Sequence, residues 1–202
     1  RLHHVSGEQR FLDAAQRALT YERQKFDPKH GNWPDFRGSS GAGNSDWKNN
    51  DFMTSWCHGA PGIALGRACL WGTALWDEKV EEEIRIGLKT TASMPLLAAD
   101  HLCCGSFGLA ATLRYVGSGP WITNKNDRDF WRLRSEEIIA SSVARKVSEQ
   151  NQFNCFGVRE GNLLMPGFFT GLSGIGLLLT SGIDGDNLIP QLISSGLLST
   201  EC

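Results

Sequence analysis

Two short stretches decide the fold of this chain. The first is Trp56-Cys57-His58-Gly59-Ala60-Pro61-Gly62, and the second is Leu102-Cys103-Cys104-Gly105-Ser106-Phe107-Gly108. In each, thiols stand directly before a Gly-x-x-Gly turn, and an apolar stretch compatible with a helix follows. Glycine at such a turn permits positive φ and close approach of the backbone. The two stretches therefore predict helix starts of one design, each with thiols at its entrance.

A third turn of the same kind, without a thiol, lies in Thr170–Gly176. The first glycines of the three turns, Gly59, Gly105 and Gly171, are separated by 46 and 66 residues. This spacing predicts a repeated αα-hairpin with one insertion, and therefore an all-α protein. We expect inner helices after each turn, at 61–75, 106–116 and 172–181, and charged outer helices at 77–94 and 127–148.

Local signals refine these helices. Ser6–Gln9 fits a capping box that opens a first helix, and the Gly-, Asn- and Ser-rich stretch Asp27–Asn50 predicts a loop. The acidic run Glu81–Glu83 is typical of a solvated helix face. Phe130 and Leu133 are expected among the apolar positions of the second outer helix, together with Ile138 and Val143.

The amino-acid composition favours a folded protein that has neither a nucleic-acid nor a membrane partner. The 202 residues are 41% hydrophobic, with seven Trp and ten Phe, which is enough to build a core, and the net charge of −2 does not favour a nucleic-acid partner. No apolar run reaches the ~20 residues that cross a bilayer, so we expect no membrane partner. Without a leader sequence or an initiator Met, we expect a cytoplasmic protein whose chain starts upstream of Arg1.

The thiols at the two turns predict a metal site. Six cysteines without secretory features do not favour disulfides, and a helix N-terminus favours the ionised thiol that a soft metal binds. Cys57, Cys103 and Cys104 are therefore the predicted ligands of Zn²⁺, with one tetrahedral position open, as in catalytic zinc sites. Two alternatives are a set of buried small side chains and a closed structural site with Cys155 or His58 as fourth ligand.

These stretches resemble the lanthionine synthetase C-like family, the cyclases of lanthipeptide biosynthesis. The resemblance includes Trp56–Gly62, Leu102–Gly108 and Thr170–Gly176 in the family's order, and Phe11–Phe36 looks like the cyclase domain of class II synthetases. Cys104 replaces the usual histidine, as in the three-cysteine, prochlorosin-type subgroup. The resemblance implies that residues 1–202 are the C-terminal part of a cyclase domain, about half of an α/α toroid.

The resemblance also implies an activity and its partners. The expected reaction adds cysteine thiols of a dehydrated precursor peptide to dehydroalanine or dehydrobutyrine, with a dehydratase domain expected N-terminally in the full-length protein. The family's acid/base histidine is expected upstream of this chain. Within the chain, His58 and His101 are the candidate catalytic residues. The alternative function is a zinc-containing peptide- or thiol-binding fragment that does not catalyse cyclisation.

Overall fold

A computed structural model of the chain describes residues 2–36, 52–150, 152–155 and 165–181. These ranges contain α1 Leu2–Ser6, α2 Gln9–Lys25, α3 Ala60–Ala68, α4 Glu78–Ser93, α5 Ser106–Gly117, α6 Lys125–Glu149 and α7 Leu172–Thr180. In the same ranges β-structure is limited to two isolated bridges, which confirms the all-α prediction. No helix among them has the length and apolarity needed to cross a bilayer. Residues 37–50 of the predicted loop lie outside the described part.

The helices pair as predicted, in an inner and an outer layer. α4 packs along α3 and α6 along α5, while α5 also contacts α3, α4 and α7. The inner helix α5 is buried along most of its length, and Phe107, Leu109 and Leu113 have no exposed surface. Burial of each such side chain stabilises the fold by about 1.5–3 kcal/mol. This layered set of hairpins agrees with the α/α toroid that the family resemblance implies.

The predicted helix bounds agree with the structure except at α3. That helix ends at Ala68, well before Leu75, and the chain continues in turns. Gly72 lies in these turns with φ of +74°, a conformation that interrupts a right-handed helix. The turns bring Trp71 and Trp76 together with edge-to-face geometry, with ring centroids 4.7 Å apart.

The predicted capping box is wrong, because Ser6 ends α1 and does not begin α2. Its hydroxyl donates a hydrogen bond to the Leu2 carbonyl at 2.7 Å and accepts one from the Glu8 N–H at 3.2 Å. Gly7 then adopts φ of +71° between the two helices. A helix that ends four residues after Leu2 leaves the Ser6 side chain engaged with its own last turn.

The expectation of a solvated face at Glu81–Glu83 is also wrong for Glu83. This carboxylate is 9% exposed and accepts hydrogen bonds from Arg67 at 2.5 Å and from Arg23 at 2.7 Å. Arg67 donates to Glu22 as well, at 2.7 Å. The ion pairs therefore join α2, α3 and α4, and a buried pair of this kind is costly to break on one side only.

In α6, Phe130 and Leu133 are exposed and not in the core. The buried face includes Trp131, Ser135 and Ile138, at intervals of four and three residues. Small side chains on this face permit a close approach to α5, and the Ser135 hydroxyl donates to the Ala110 carbonyl at 2.8 Å. Because this face of α6 turns toward α5, Phe130 and Leu133 point toward solvent.

Candidate metal centre at the helix entrances

The three Gly-x-x-Gly turns share one backbone geometry. A Cβ atom added to the second glycine of each turn would overlap the carbonyl group of the residue six positions earlier. The glycines and carbonyls are Gly62 with Trp56, Gly108 with Leu102, and Gly174 with Phe168. Each turn thus folds back on itself so tightly that only glycine fits, and the thiols lie at equivalent places in the first two turns.

Main-chain hydrogen bonds connect the three turns side by side. The Cys57 N–H donates to the Cys103 carbonyl at 3.3 Å, and the Cys103 N–H donates to the Phe169 carbonyl at 2.8 Å. Each of these residues stands two positions before the first glycine of its turn. The three turns therefore lie side by side on one face of the protein.

The three cysteines of the two turns form a compact cluster. Their Sγ atoms all lie within 4.8 Å of one another, with Cys57 and Cys104 at 3.2 Å and Cys103 and Cys104 at 3.4 Å. Three sulfurs at about 2.3 Å from a tetrahedral Zn²⁺ lie about 3.8 Å apart. The separations of 3.2 and 3.4 Å are slightly shorter than this, so a small outward movement of the sulfurs would make room for the ion.

The protonation of the cluster also fits a cation. Burial acts to raise the pKa of Cys57, but hydrogen bonds from the Ser55 hydroxyl and the neighbouring thiols outweigh it and lower that pKa. Burial and the hydrogen bond with Cys57 raise the pKa of Cys103, and the same causes raise that of Cys104. Cys57 is therefore the thiol of the cluster that loses its proton most readily, and a bound dication would stabilise the thiolate form of all three. The donor set therefore fits Zn²⁺.

A buried asparagine that sequence reasoning missed holds the first turn. Asn32 is 2% exposed, and its Oδ1 accepts hydrogen bonds from the Ala60 N–H at 2.7 Å and the Trp33 N–H at 2.8 Å. Its Nδ2 donates to Thr54 Oγ1 at 3.0 Å and to the Met53 carbonyl at 3.3 Å. Asn32 thereby caps the N-terminus of α3 from a distant segment, since the N-cap residue of α3 is a glycine.

A buried carboxylate holds the second turn. Asp100 has no exposed surface, and its side chain accepts hydrogen bonds from Arg145 at 2.5 Å and from the Asn154 N–H at 2.6 Å. Lys146 Nζ lies 3.4 Å from Asp100 Oδ2, the same oxygen that accepts the Asn154 N–H. The carbonyl of Asp100 accepts the Phe107 N–H at 3.0 Å. The end of α6 and residues 152–155 are thus tied to the loop that carries Cys103 and Cys104.

The two candidate catalytic histidines have different surroundings. His58 Nε2 lies 3.7 Å from Asp35 Oδ1, and the imidazole is 27% exposed. His101 is 1% exposed; its Nδ1 accepts the Cys104 N–H at 3.3 Å, and it also bonds to the Phe169 backbone. Burial lowers the pKa of His101. A catalytic role for either histidine stays a prediction, and the contacts of His101 are those of a residue that orients the loop.

Cys69 and Cys155 do not belong to the cluster. Among the residues that the structure describes, Cys57, Cys103 and Cys104 are the only group whose ligand atoms could jointly hold a metal ion. Cys155 and His58, the predicted fourth ligands of a closed site, do not belong to it. Cys69 is half-buried, and burial raises the pKa of its thiol.

An aromatic pair borders the cluster. The Trp56 ring stacks on the Phe169 ring with centroids 4.6 Å apart and an angle of 23° between the planes. Trp56 directly precedes Cys57, and the Phe169 carbonyl accepts the Cys103 N–H. Trp56 belongs to the first sequence motif, but no signal in the sequence pointed to Phe169.

Comparison with known proteins identifies the family. A family model described as lanthionine synthetase C-like protein matches residues 1–193. No curated protein matches the chain. The family match spans all three Gly-x-x-Gly turns and the three clustered cysteines, and on this basis the chain belongs to the lanthionine synthetase C-like family.

Proposed function

We propose that the chain is the zinc-holding part of a lanthipeptide cyclase domain, of the class II type and the three-cysteine, prochlorosin-type subgroup. The observation that carries the proposal is the cluster of Cys57, Cys103 and Cys104 at the entrances of two equivalent inner helices. Family membership supports a cyclase-type activity. We further propose that the protein acts in the cytoplasm, that its substrate is a dehydrated precursor peptide, and that the full-length protein carries an N-terminal dehydratase domain.

The three cysteines would hold Zn²⁺ and leave a fourth position for a peptide cysteine. When bound, zinc supplies a positive charge that favours the deprotonated form of that cysteine. Cys57 is exposed and the other two thiols are half-buried, so a peptide can reach the cluster from outside. That neither Cys155 nor His58 belongs to the cluster supports an open site over a closed structural one.

The proposed reaction is an intramolecular addition. The peptide thiol loses its proton to solvent, its sulfur forms a bond to the β-carbon of dehydroalanine or dehydrobutyrine, and the Cα–Cβ π bond breaks. The α-carbon then takes a proton, so the addition needs no oxidant or reductant. General acid–base help at this step is worth typically ~10²–10⁴-fold.

The residues of this chain contribute orientation of the thiols. Asn32 and Asp100 hold the two turns that carry the thiols, and His101 holds the Cys104 N–H. The family's acid/base histidine is expected upstream. Within the chain, His58 is the candidate proton donor, since Asp35 at 3.7 Å can orient its imidazole.

Two measurements test the proposal. The first is the zinc content of Cys103→Ala, with Cys69→Ala as the control, because Cys69 is a half-buried thiol outside the cluster. We expect a large zinc loss for the first variant and none for the second. Full zinc retention in Cys103→Ala would overturn the metal assignment.

The second measurement is ring formation from a dehydrated precursor peptide, with this chain alone and with the upstream segment restored. We expect zinc binding in both and efficient cyclisation only in the restored protein, because the chain alone lacks the expected histidine. Equal activity would favour His58 as the acid. Zinc binding without cyclisation in either protein would instead favour the peptide- or thiol-binding function.

A further inference from the structure

The third turn repeats the backbone of the two thiol-bearing turns and places an aromatic side chain where they place sulfur. Phe169 stands two residues before the first glycine of its turn, as Cys57 and Cys103 do in theirs. The chain of main-chain hydrogen bonds from Cys57 to Cys103 continues to the Phe169 carbonyl. Phe169 is thus the third member of one row of equivalent backbone positions, and the other two positions carry cluster thiols.

The Phe169 side chain is not required by the core. The preceding Phe168 packs against the buried cluster of apolar residues, whereas Phe169 is 40% exposed. Its ring stacks on Trp56, next to the ligand Cys57, and meets Phe168 edge-to-face with centroids 4.9 Å apart. An aromatic side chain that is held by two other rings and is partly open to solvent therefore lies on the turn next to the one that carries Cys103.

We infer that Phe169 is a specificity-determining residue that contacts the dehydroamino acid of the peptide substrate. The inference rests on the proposed function. Dehydroalanine and dehydrobutyrine have a planar, apolar Cα=Cβ group conjugated to the peptide, and such a group packs well on an aromatic face. Formation of the lanthionine ring requires this group to be close to the attacking sulfur. Phe169 occupies the position next to Cys103 in the row.

The test compares two fluorescently labelled peptides that are identical except for dehydroalanine or alanine at one position. Serine replaces the cysteine in both, so that no ring can form and binding does not depend on a metal–thiol bond. The aromatic contact should give the chain about a threefold to tenfold preference for the dehydroalanine peptide. Phe169→Ala should abolish the preference, and Phe169→Tyr, which keeps the ring, should retain it.

The matched control is Phe130→Ala, since Phe130 is an exposed phenylalanine on the outer helix α6. This variant should bind both peptides as the unaltered chain does. An unchanged preference in Phe169→Ala, or no preference in the unaltered chain, would overturn the inference. The proposed function fails by a different result, which is zinc retention in Cys103→Ala or absence of ring formation by the restored protein.

Discussion

Asn32 offers a sharp test of how the fold builds the first half of the metal centre. Its side chain is the acceptor for two main-chain N–H groups, those of Ala60 and Trp33, and both of these residues are buried. Asn32→Ala removes the acceptor and leaves both donors without a partner in a place that water does not reach. The change acts on the turn that carries Cys57 without touching a thiol.

The expected cost follows from these contacts. Each buried donor without an acceptor costs about 1–3 kcal/mol, so the two donors together should lower the free energy of unfolding of Asn32→Ala by about 2–6 kcal/mol. Asn32→Asp keeps the acceptor but replaces Nδ2 by an oxygen that faces the Met53 carbonyl, at 3.3 Å in the native chain. That variant should lie between the alanine variant and the native chain.

The assay combines urea unfolding of the metal-free chain with zinc affinity measured by chelator competition. Asn124→Ala is the control, because Asn124 is exposed and caps α6 locally through the Asn126 N–H at 2.8 Å. It should cost about 1 kcal/mol and leave zinc affinity unchanged. Asn32→Ala should weaken zinc binding by about tenfold or more, as loss of a supporting contact does at other metal sites. Equal effects of the two variants on stability and affinity would refute the reasoning.

Three further changes test other parts of the structure. Asp100→Asn should cost about 3–5 kcal/mol in urea unfolding, because it removes the fully buried anion that pairs with Arg145 and Lys146; a cost below 1 kcal/mol would show that the ion pairs are dispensable. Gly108→Ala should lower both stability and zinc affinity, whereas Gly66→Ala, where an added Cβ meets no atom within 4 Å, should be neutral or stabilising. For Asp77, hydrogen bonds from Arg23 and the α4 backbone outweigh burial and lower its pKa, so its contribution is present above the unfolded-state pKa of about 3.9 and lost as pH falls through the folded-state value. The destabilisation by Asp77→Ala should therefore be full at pH 7 and shrink in acid, and a pH-independent difference in unfolding free energy would contradict the assignment.

The sequence was informative where the relevant residues are close along the chain. Thiols next to Gly-x-x-Gly turns predicted the cluster, and the bounds expected for α4, at 77–94, differ from Glu78–Ser93 by one residue at each end. Such features depend on local backbone geometry and on the helical period, which a sequence displays directly.

The contacts that support the site could not be predicted in this way. Asn32 bonds to Ala60 from 28 positions away, and Asp100 bonds to Asn154 from 54 away. An isolated Asn or Asp in a loop gives no sign of such a partner. The burial of Glu83 was missed for the same reason. A charged side chain predicts exposure to solvent, and the arginines that face Glu83 belong to other helices.

The main-chain hydrogen bonds from Cys57 to Cys103 and on to Phe169 align the turns without help from the side chains at these positions. The scaffold and the chemistry of the site are thereby separated, and one backbone position can carry a thiol in one hairpin and a phenyl ring in the next. Exchange of a side chain at one position of this row changes the reactivity at the helix entrances and leaves the alignment of the hairpins intact. Such a layout lends itself to redesign, since new donors can be introduced one position at a time on a frame that already holds its shape.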